Sequence, residues 1–284
     1  MNHKGFFAIC IAFSLLTGCA SAPIERQTGE LDFQYESQKS SQSHQQTIAI
    51  VSPKFGKYES SKPTSYNGMQ IPQVTADFNQ RFYQGQYARN LEAALGTGFQ
   101  KLITDKGFRF VGPYQNFDEI TYTDKKDTYL AIIPSLELSF SKAAAQPVCS
   151  GSRCVEEGSF SIGGDFSFKL VEPLTMQTFM TKRISLQDLE ISKEYRAIFD
   201  NPGHNKNDLV ALALTSAFEQ IEKASNQGQT VDASKNLDTS DKALADAVNE
   251  FYAAAMGRLD TYLASEEILS FSRDVKALKD RKRY

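Results

Sequence analysis

The chain has 284 residues, 41% of them hydrophobic and 23% charged, with a formal charge of −3. Such a composition buries a core and excludes an intrinsically disordered protein. With 31 Lys+Arg against 34 Asp+Glu it presents no broad basic face, so nucleic acid is excluded as a partner.

The first element is a leader. His3 and Lys4 precede an apolar run from Gly5 to Leu16, about a dozen residues, which is too short to cross a ~30 Å hydrocarbon core but suits the h-region of a secretion signal. Leu16-Thr17-Gly18-Cys19 closes it with the pattern of a bacterial lipobox. Cleavage after Gly18 removes residues 1–18 and leaves Cys19 to carry acyl chains. Each buried methylene contributes ~0.8 kcal/mol, so several chains hold the protein on the membrane. Ala20, rather than Asp, in the next position fits delivery to the outer membrane. The mature chain then carries 30 Lys+Arg and 34 Asp+Glu, since Lys4 is the only charge lost, for a balance of −4.

Residues 19–46 read as a lipidated flexible tether. Eight of the ten positions from Ser37 to Gln46 are Ser or Gln, a composition with little to bury. Leu31, Phe33 and Tyr35 alternate and offer one place where the tether could dock as a short strand.

Residues 47–284 read as one domain. Thr47 to Val51 is a β-branched run stopped by Ser52-Pro53, and predicts a buried strand. Residues 55–73, rich in Gly, Ser, Pro and Asn, read as an exposed loop. Phe78, Phe82, Ala88, Leu91, Leu95, Phe99 and Leu102 recur three or four apart and predict one long helix from about Thr75 to Asp105. Gly107 stops it, and Phe108 to Val111 is the next strand. Leu136, Leu138 and Phe140 share one face of a strand between Tyr129 and Phe140. The clearest β pattern follows, with Phe160, Ile162, Gly164, Phe166, Phe168 and Leu170 on one parity and polar residues on the other. Glu172 to Thr175 turns the chain into a partner strand from about Met176 to Leu189. After Tyr195 the pattern predicts helices. One is capped at Asn207 or Asp208 and ends near Asn226; a longer one starts near Ser240 with Leu244, Val248, Phe251, Ala255, Leu259 and Tyr262 as its stripe. The resulting class is α+β: a mixed, largely antiparallel sheet with a long helix after the first strand and C-terminal helices on one face.

Four cysteines are present; Cys10 leaves with the leader and Cys19 takes the lipid. Cys149 and Cys154 remain, and in an exported protein they are expected to form a disulfide closing a short loop. A metal or redox site is the rival reading, against which stand the four intervening residues and the lack of a neighbouring His.

Residues that carry catalysis are sparse. His3, His44 and His204 are the three histidines; the last two lie in the tether and in a turn, and read as solvated. Gly96-Thr97-Gly98 sits inside a helical stripe and lacks the third glycine of a phosphate-binding turn. No Gly-x-Ser-x-Gly elbow occurs. Glu156-Glu157 and the other adjacent acid pairs read as solvated surface. The expectation is a non-catalytic protein with no cofactor and no metal. The basic C-terminal stretch, with Arg273, Lys276, Lys279, Arg281, Lys282 and Arg283, reads as a solvated helix end, with anionic lipid as its functional alternative.

Several stretches together resemble the neuraminyllactose-binding haemagglutinin family, the Helicobacter-type surface lipoproteins. They are the Leu-Thr-Gly-Cys box; Ile48 to Pro53 with the helix ending in Asp105-Lys106-Gly107-Phe108; Lys126 to Ile133; Phe168 to Pro173 leading to Leu186-Gln187-Asp188-Leu189-Glu190-Ile191; and Ala277-Leu278-Lys279 before the last basic cluster. The resemblance implies an outer-membrane or flagellar-sheath lipoprotein acting as an adhesin for sialylated host glycans. Its glycan segment falls near Ser141 to Val155, where Lys142 and Arg153 are the only cations; they are the candidate ligand-binding residues. The alternative is a structural sheath or envelope protein that self-associates or binds flagellar or envelope proteins, using the helix from Ser240 as a docking face.

Overall fold

The first residues the structure, a computed structural model, describes are 23–56, followed by 65–66, 69–70, 75–144, 146–201 and 236–281. Strands β1 (Glu25–Arg26), β2 (Thr47–Val51), β3 (Ser65–Tyr66) and β4 (Met69–Gln70) come first. Helices α1 (Phe78–Gln84) and α2 (Tyr87–Asp105) follow, then β5 (Arg109–Tyr114) and the short α3 (Tyr122–Asp127). Next are β6 (Leu130–Ala144), β7 (Val148–Ser150), β8 (Arg153–Val171), β9 (Thr178–Ser185) and β10 (Ser192–Asp200). β11 (Leu237–Asp238) leads into α4 (Ser240–Tyr262), α5 (Ser265–Ser270) and α6 (Ser272–Arg281).

The main sheet runs β10-β8-β6-β2-β5, with β7 and β9 also paired to β8. β2 is parallel to both β5 and β6, while the pairs made by β8 are all antiparallel. The expected α+β class is what forms. Alternation decides its faces: Phe160, Ile162, Phe166, Phe168 and Leu170 are all buried, as are Leu136, Leu138 and Phe140 across from them. The helices cover this face, and all seven apolar residues of the predicted 75–105 stripe are buried under them. Among the described residues the opposite face is covered near one end, where Ile120 and Phe117 pack on Ala49, Val51, Ala131 and Val171.

Three elements differ from the sequence reading. The long helix is two helices, interrupted at Gly85, whose N–H closes α1 on Arg81 O at 3.1 Å; glycine weakens a helix by about 1 kcal/mol relative to alanine. The stripe continues across the break because both halves face the same sheet. Residues 196–200, read as leading into helix, instead complete β10, where Tyr195 and Ala197 are buried and alternate with Glu194 and Arg196. Charged residues on the wet parity hid that strand. The exposed-loop reading of residues 55–73 fails at Phe55, whose ring meets Phe82 and Tyr83 edge-on at 5.1 and 5.9 Å. The predicted helix from Asn207 or Asp208 lies outside the described residues. The stop at Gly107 forms as read: φ is +85°, and an added Cβ would lie 2.0 Å from Gln42 O.

The largest correction concerns the tether. Residues 23–46 are docked along the body. β1 pairs with β11, Lys242 N donates to Gln27 O, and Asp32 N donates to Asn249 Oδ1 at 2.8 Å. Leu31, Phe33 and Tyr35 pack on the core, with the Phe33 ring 5.2 Å from that of Tyr252. They hold the chain as an extended strap rather than as a strand. The Ser- and Gln-rich part is fixed through its backbone, with Ser40 N donating to Asp105 O and His44 N to Gly107 O, both at 2.6 Å. His44 is therefore not a solvated residue; its ring lies 4.8 Å from Phe108. Low hydrophobicity signals a lack of side chains to bury, but backbone hydrogen bonds can dock such a segment.

Asp260, on α4, latches the strap. It accepts from Tyr35 OH at 2.8 Å and Gln38 N at 3.1 Å, and pairs with Lys106. Burial pushes its carboxyl up, but the bonds from Lys106, Tyr35 and Gln38 outweigh this and hold it below the ordinary value of 3.8. The same bond pushes the Tyr35 phenol, already raised by burial, up to about 12. A depressed carboxyl contributes stability above its unfolded value and loses it as pH falls through the folded one. Asp260→Asn is expected to cost about 3 kcal/mol at neutral pH in urea unfolding, since it leaves Lys106 buried without its counter-charge. It should also flatten the loss of stability of the parent below pH 4, and raise amide exchange in residues 31–38.

Candidate functional site

The Cys149–Cys154 disulfide is formed. The two cysteines face each other across the β7–β8 hairpin, with Ser150 opposite Arg153 and Gly151-Ser152 as the turn. Asn201 braces the turn, its backbone N–H donating to Ser152 O at 2.8 Å and its side-chain amide to Gly151 O at 2.9 Å. Arg153 donates to the side chain of Asn236, whose backbone O accepts from Glu25 N at 2.8 Å. The hairpin and the start of the strap are thus joined through one residue.

Lys142 and Arg153 do not converge. Lys142 stands opposite Phe160 in register, seven positions along β8 from Arg153. Seven residues of strand span roughly 23 Å, and an odd separation places the two side chains on opposite faces. Lys142 Nζ instead lies 3.1 Å from Glu156 Oε1. Glu156 is 1% exposed, on the same parity as Phe160. It also accepts from Tyr195 OH and from Ala76 N. Burial, and then the bond to Glu156, push the Tyr195 phenol well above its ordinary value.

This corrects the reading of Glu156-Glu157 as solvated surface. A strand sends adjacent residues to opposite faces, so Glu157 points the other way and pairs with Arg196. Extending the parity of Phe160 back by four residues would have found the buried acid. Its companions come from α1's approach and from β10, which the sequence reading did not place beside it.

At the other end of β8 the turn Pro173–Met176 faces the segment before β6. Phe117, Asp118, Tyr122, Lys125, Pro173, Leu174 and Met176 line an open cleft of ≈ 460 Å³. Glu172 is buried beneath and shapes the turn by accepting from Leu174 N and Thr175 N at 3.1 and 2.8 Å. On the other wall Asn116 caps a short 3-10 turn and Thr121 caps α3. Lys125 Nζ lies 4.3 Å from the Phe117 ring centroid, while Tyr122 is 72% and Met176 49% exposed. Large side chains left this open are informative. They offer ring and thioether surface with one cation and one carboxylate at the rim, which suits contact with a partner. No periodic pattern links residues 117–125 to 173–176, so nothing in the sequence singled them out.

Cys19 and His204 lie outside the described residues. Among the described residues no three His, Cys, Asp or Glu side chains gather as a metal site requires, and no helix is long and apolar enough to cross a membrane. The basic residues of α6 lie at the cleft end of the sheet, where Lys279 Nζ donates to Lys126 O at 2.8 Å.

No family model and no curated protein matches the chain. Among solved structures it is similar to a neuraminyllactose-binding hemagglutinin homolog from Helicobacter pylori, with 14% identity and a TM-score of 0.48, over 86% of this chain and 99% of the other. It is also similar to a lipoprotein from Neisseria meningitidis, with 8% identity and a TM-score of 0.22, over 63% of this chain and 99% of that one.

Removing the buried acid tests whether the Lys142 cluster is a structural unit. Glu156→Ala strands Lys142, the Tyr195 hydroxyl and Ala76 N–H, and is expected to destabilise the fold by about 3–5 kcal/mol in chemical unfolding. Lys142→Met keeps the aliphatic stem but leaves the buried Glu156 carboxylate without its counter-charge, and is expected to cost a similar amount.

Proposed function

We propose that this chain is a lipid-anchored protein of the bacterial outer membrane that works by binding through its surface and carries out no catalysis. The observation that carries the reading is the Leu16-Thr17-Gly18-Cys19 box behind a short apolar leader. The Cys149–Cys154 disulfide supports it, because such bonds persist in exported proteins and are rare in the reducing cytoplasm. In this reading the anchor is the set of acyl chains at Cys19.

Two binding roles compete. The structural role, in a sheath or envelope assembly, relied on an open apolar face on the helix from Ser240. That face is occupied within the chain: Leu244, Val248, Phe251, Ala255 and Leu259 are fully buried against the sheet, α2 and the strap. Its support passes to the cleft at Tyr122 and Met176. The adhesin role rests on the resemblance of the sequence to sialoglycan-binding haemagglutinins. Its two cations, Lys142 and Arg153, are each engaged internally and stand apart. The geometry therefore favours protein–protein contact at the cleft, with self-association or an envelope protein as the partner.

Cys19→Ala is expected to abolish labelling by a palmitate analogue in cells and to release the protein from the membrane fraction. An acylated Cys19→Ala product would refute the anchor. On glycan surfaces, the purified mature domain is expected to bind sialylated and desialylated forms equally; a preference for the sialylated form would restore the adhesin role.

A further inference from the structure

The strap fixes which end of the body meets the bilayer. β1 is the start of the strap, and it pairs with β11 beside the disulfide hairpin, where Asn236 joins Glu25 to Arg153. From there the strap runs along α4, touching Lys242 near that helix's start, then Asn249, then Asp260 near its end. It reaches Asp105 and Gly107 at the opposite end of the molecule before turning into β2. Hence the chain leaves the body toward Cys19 at the hairpin end. Only six residue steps separate Cys19 from Glu25, at most ~21 Å when fully extended. From Arg153 to Val171, β8 covers 18 steps, roughly 59 Å of strand. The leash is about a third of the molecule's length, too short to let the body turn over.

We infer that the hairpin end, with Gly151, Ser152 and Asp200, is the face applied to the headgroups of the bilayer that holds Cys19, while the cleft lined by Tyr122, Lys125 and Met176 points away from it. This rests on the lipidation proposed above. It gives the two ends different tasks. The loop that carries Arg153 faces the protein's own membrane, where a glycan on another cell does not reach it. The exposed aromatic and thioether groups, and the basic face of α6, stand at the free end, where a protein partner does reach them.

The test uses full-length, acylated protein reconstituted in phosphatidylcholine vesicles with a small fraction of headgroup-labelled acceptor lipid. A donor fluorophore is attached, with the native disulfide intact, to a cysteine placed by Asp200→Cys at the hairpin end or by Gln177→Cys at the cleft end; both parent side chains are exposed. Energy transfer is expected to be severalfold greater from position 200. Inserting about twenty Gly-Ser residues before Pro23 adds roughly 25 Å of leash and should bring the two positions toward equality. Equal or reversed transfer from protein that co-sediments with the vesicles overturns the orientation while leaving the anchor standing. Protein that fails to co-sediment, and whose N-terminal peptide carries no acyl mass, overturns the anchor and the orientation with it.

Discussion

The strand from Arg153 to Val171 has backbone N–H and C=O groups along both edges, and water reaches few of them. Every one needs a partner, because an unpaired polar group in the interior costs as much as a lost hydrogen bond. One neighbour cannot serve so long an edge, and the chain solves this by changing partners along the way. On one side β7 takes residues 153–155 and β6 takes 158–171; on the other β10 takes 153–161 and β9 takes 165–171. The exchange between β10 and β9 falls at Gly163-Gly164, where Gly164 has φ +110° and a Cβ would lie 2.1 Å from Glu137 O. Only glycine fits that position.

Two ends follow from this one strand. At its start the hairpin, β10 and β11 meet, and the polar groups there are paired internally: Glu156 with Lys142 and Tyr195, Glu157 with Arg196, Arg153 with Asn236. At its end Pro173–Met176 turns back to β9, and the apolar groups around it are left open. The strap crosses between these ends over α4, from the hairpin end to the cleft end. Its latch at Asp260 couples α4, the C-terminus of α2 and the strap in one cluster of charge-assisted bonds, which are stronger than neutral ones.

Much of the fold was legible. Period-two alternation gave β6 and β8 their buried faces, and the helical stripes gave α1, α2 and α4 theirs, because burial of apolar surface is the same local signal wherever it is met. Gly107 was readable as a stop for a local reason as well. The tether was misread because composition registers only side chains, whereas Ser40 and His44 dock through their backbones. β10 was hidden since Lys193, Glu194 and Arg196 diluted its alternation. Of the candidate site, the cysteine pair was readable from its spacing; the partners of Lys142 and Arg153 were not.

By itself the sequence determined the lipobox-like pattern at Leu16–Cys19, the faces of the long elements, the α+β class and the cysteines able to join. Each of those depends on residues within a turn or a strand of one another. The tertiary structure alone decided that Glu156 is buried, that the two candidate cations stand on opposite faces, that Tyr122 and Met176 line one cleft, and that the N-terminal segment is a strap. These pair residues from about fifteen to more than two hundred positions apart, and only the packing of the sheet against its helices brings such residues together.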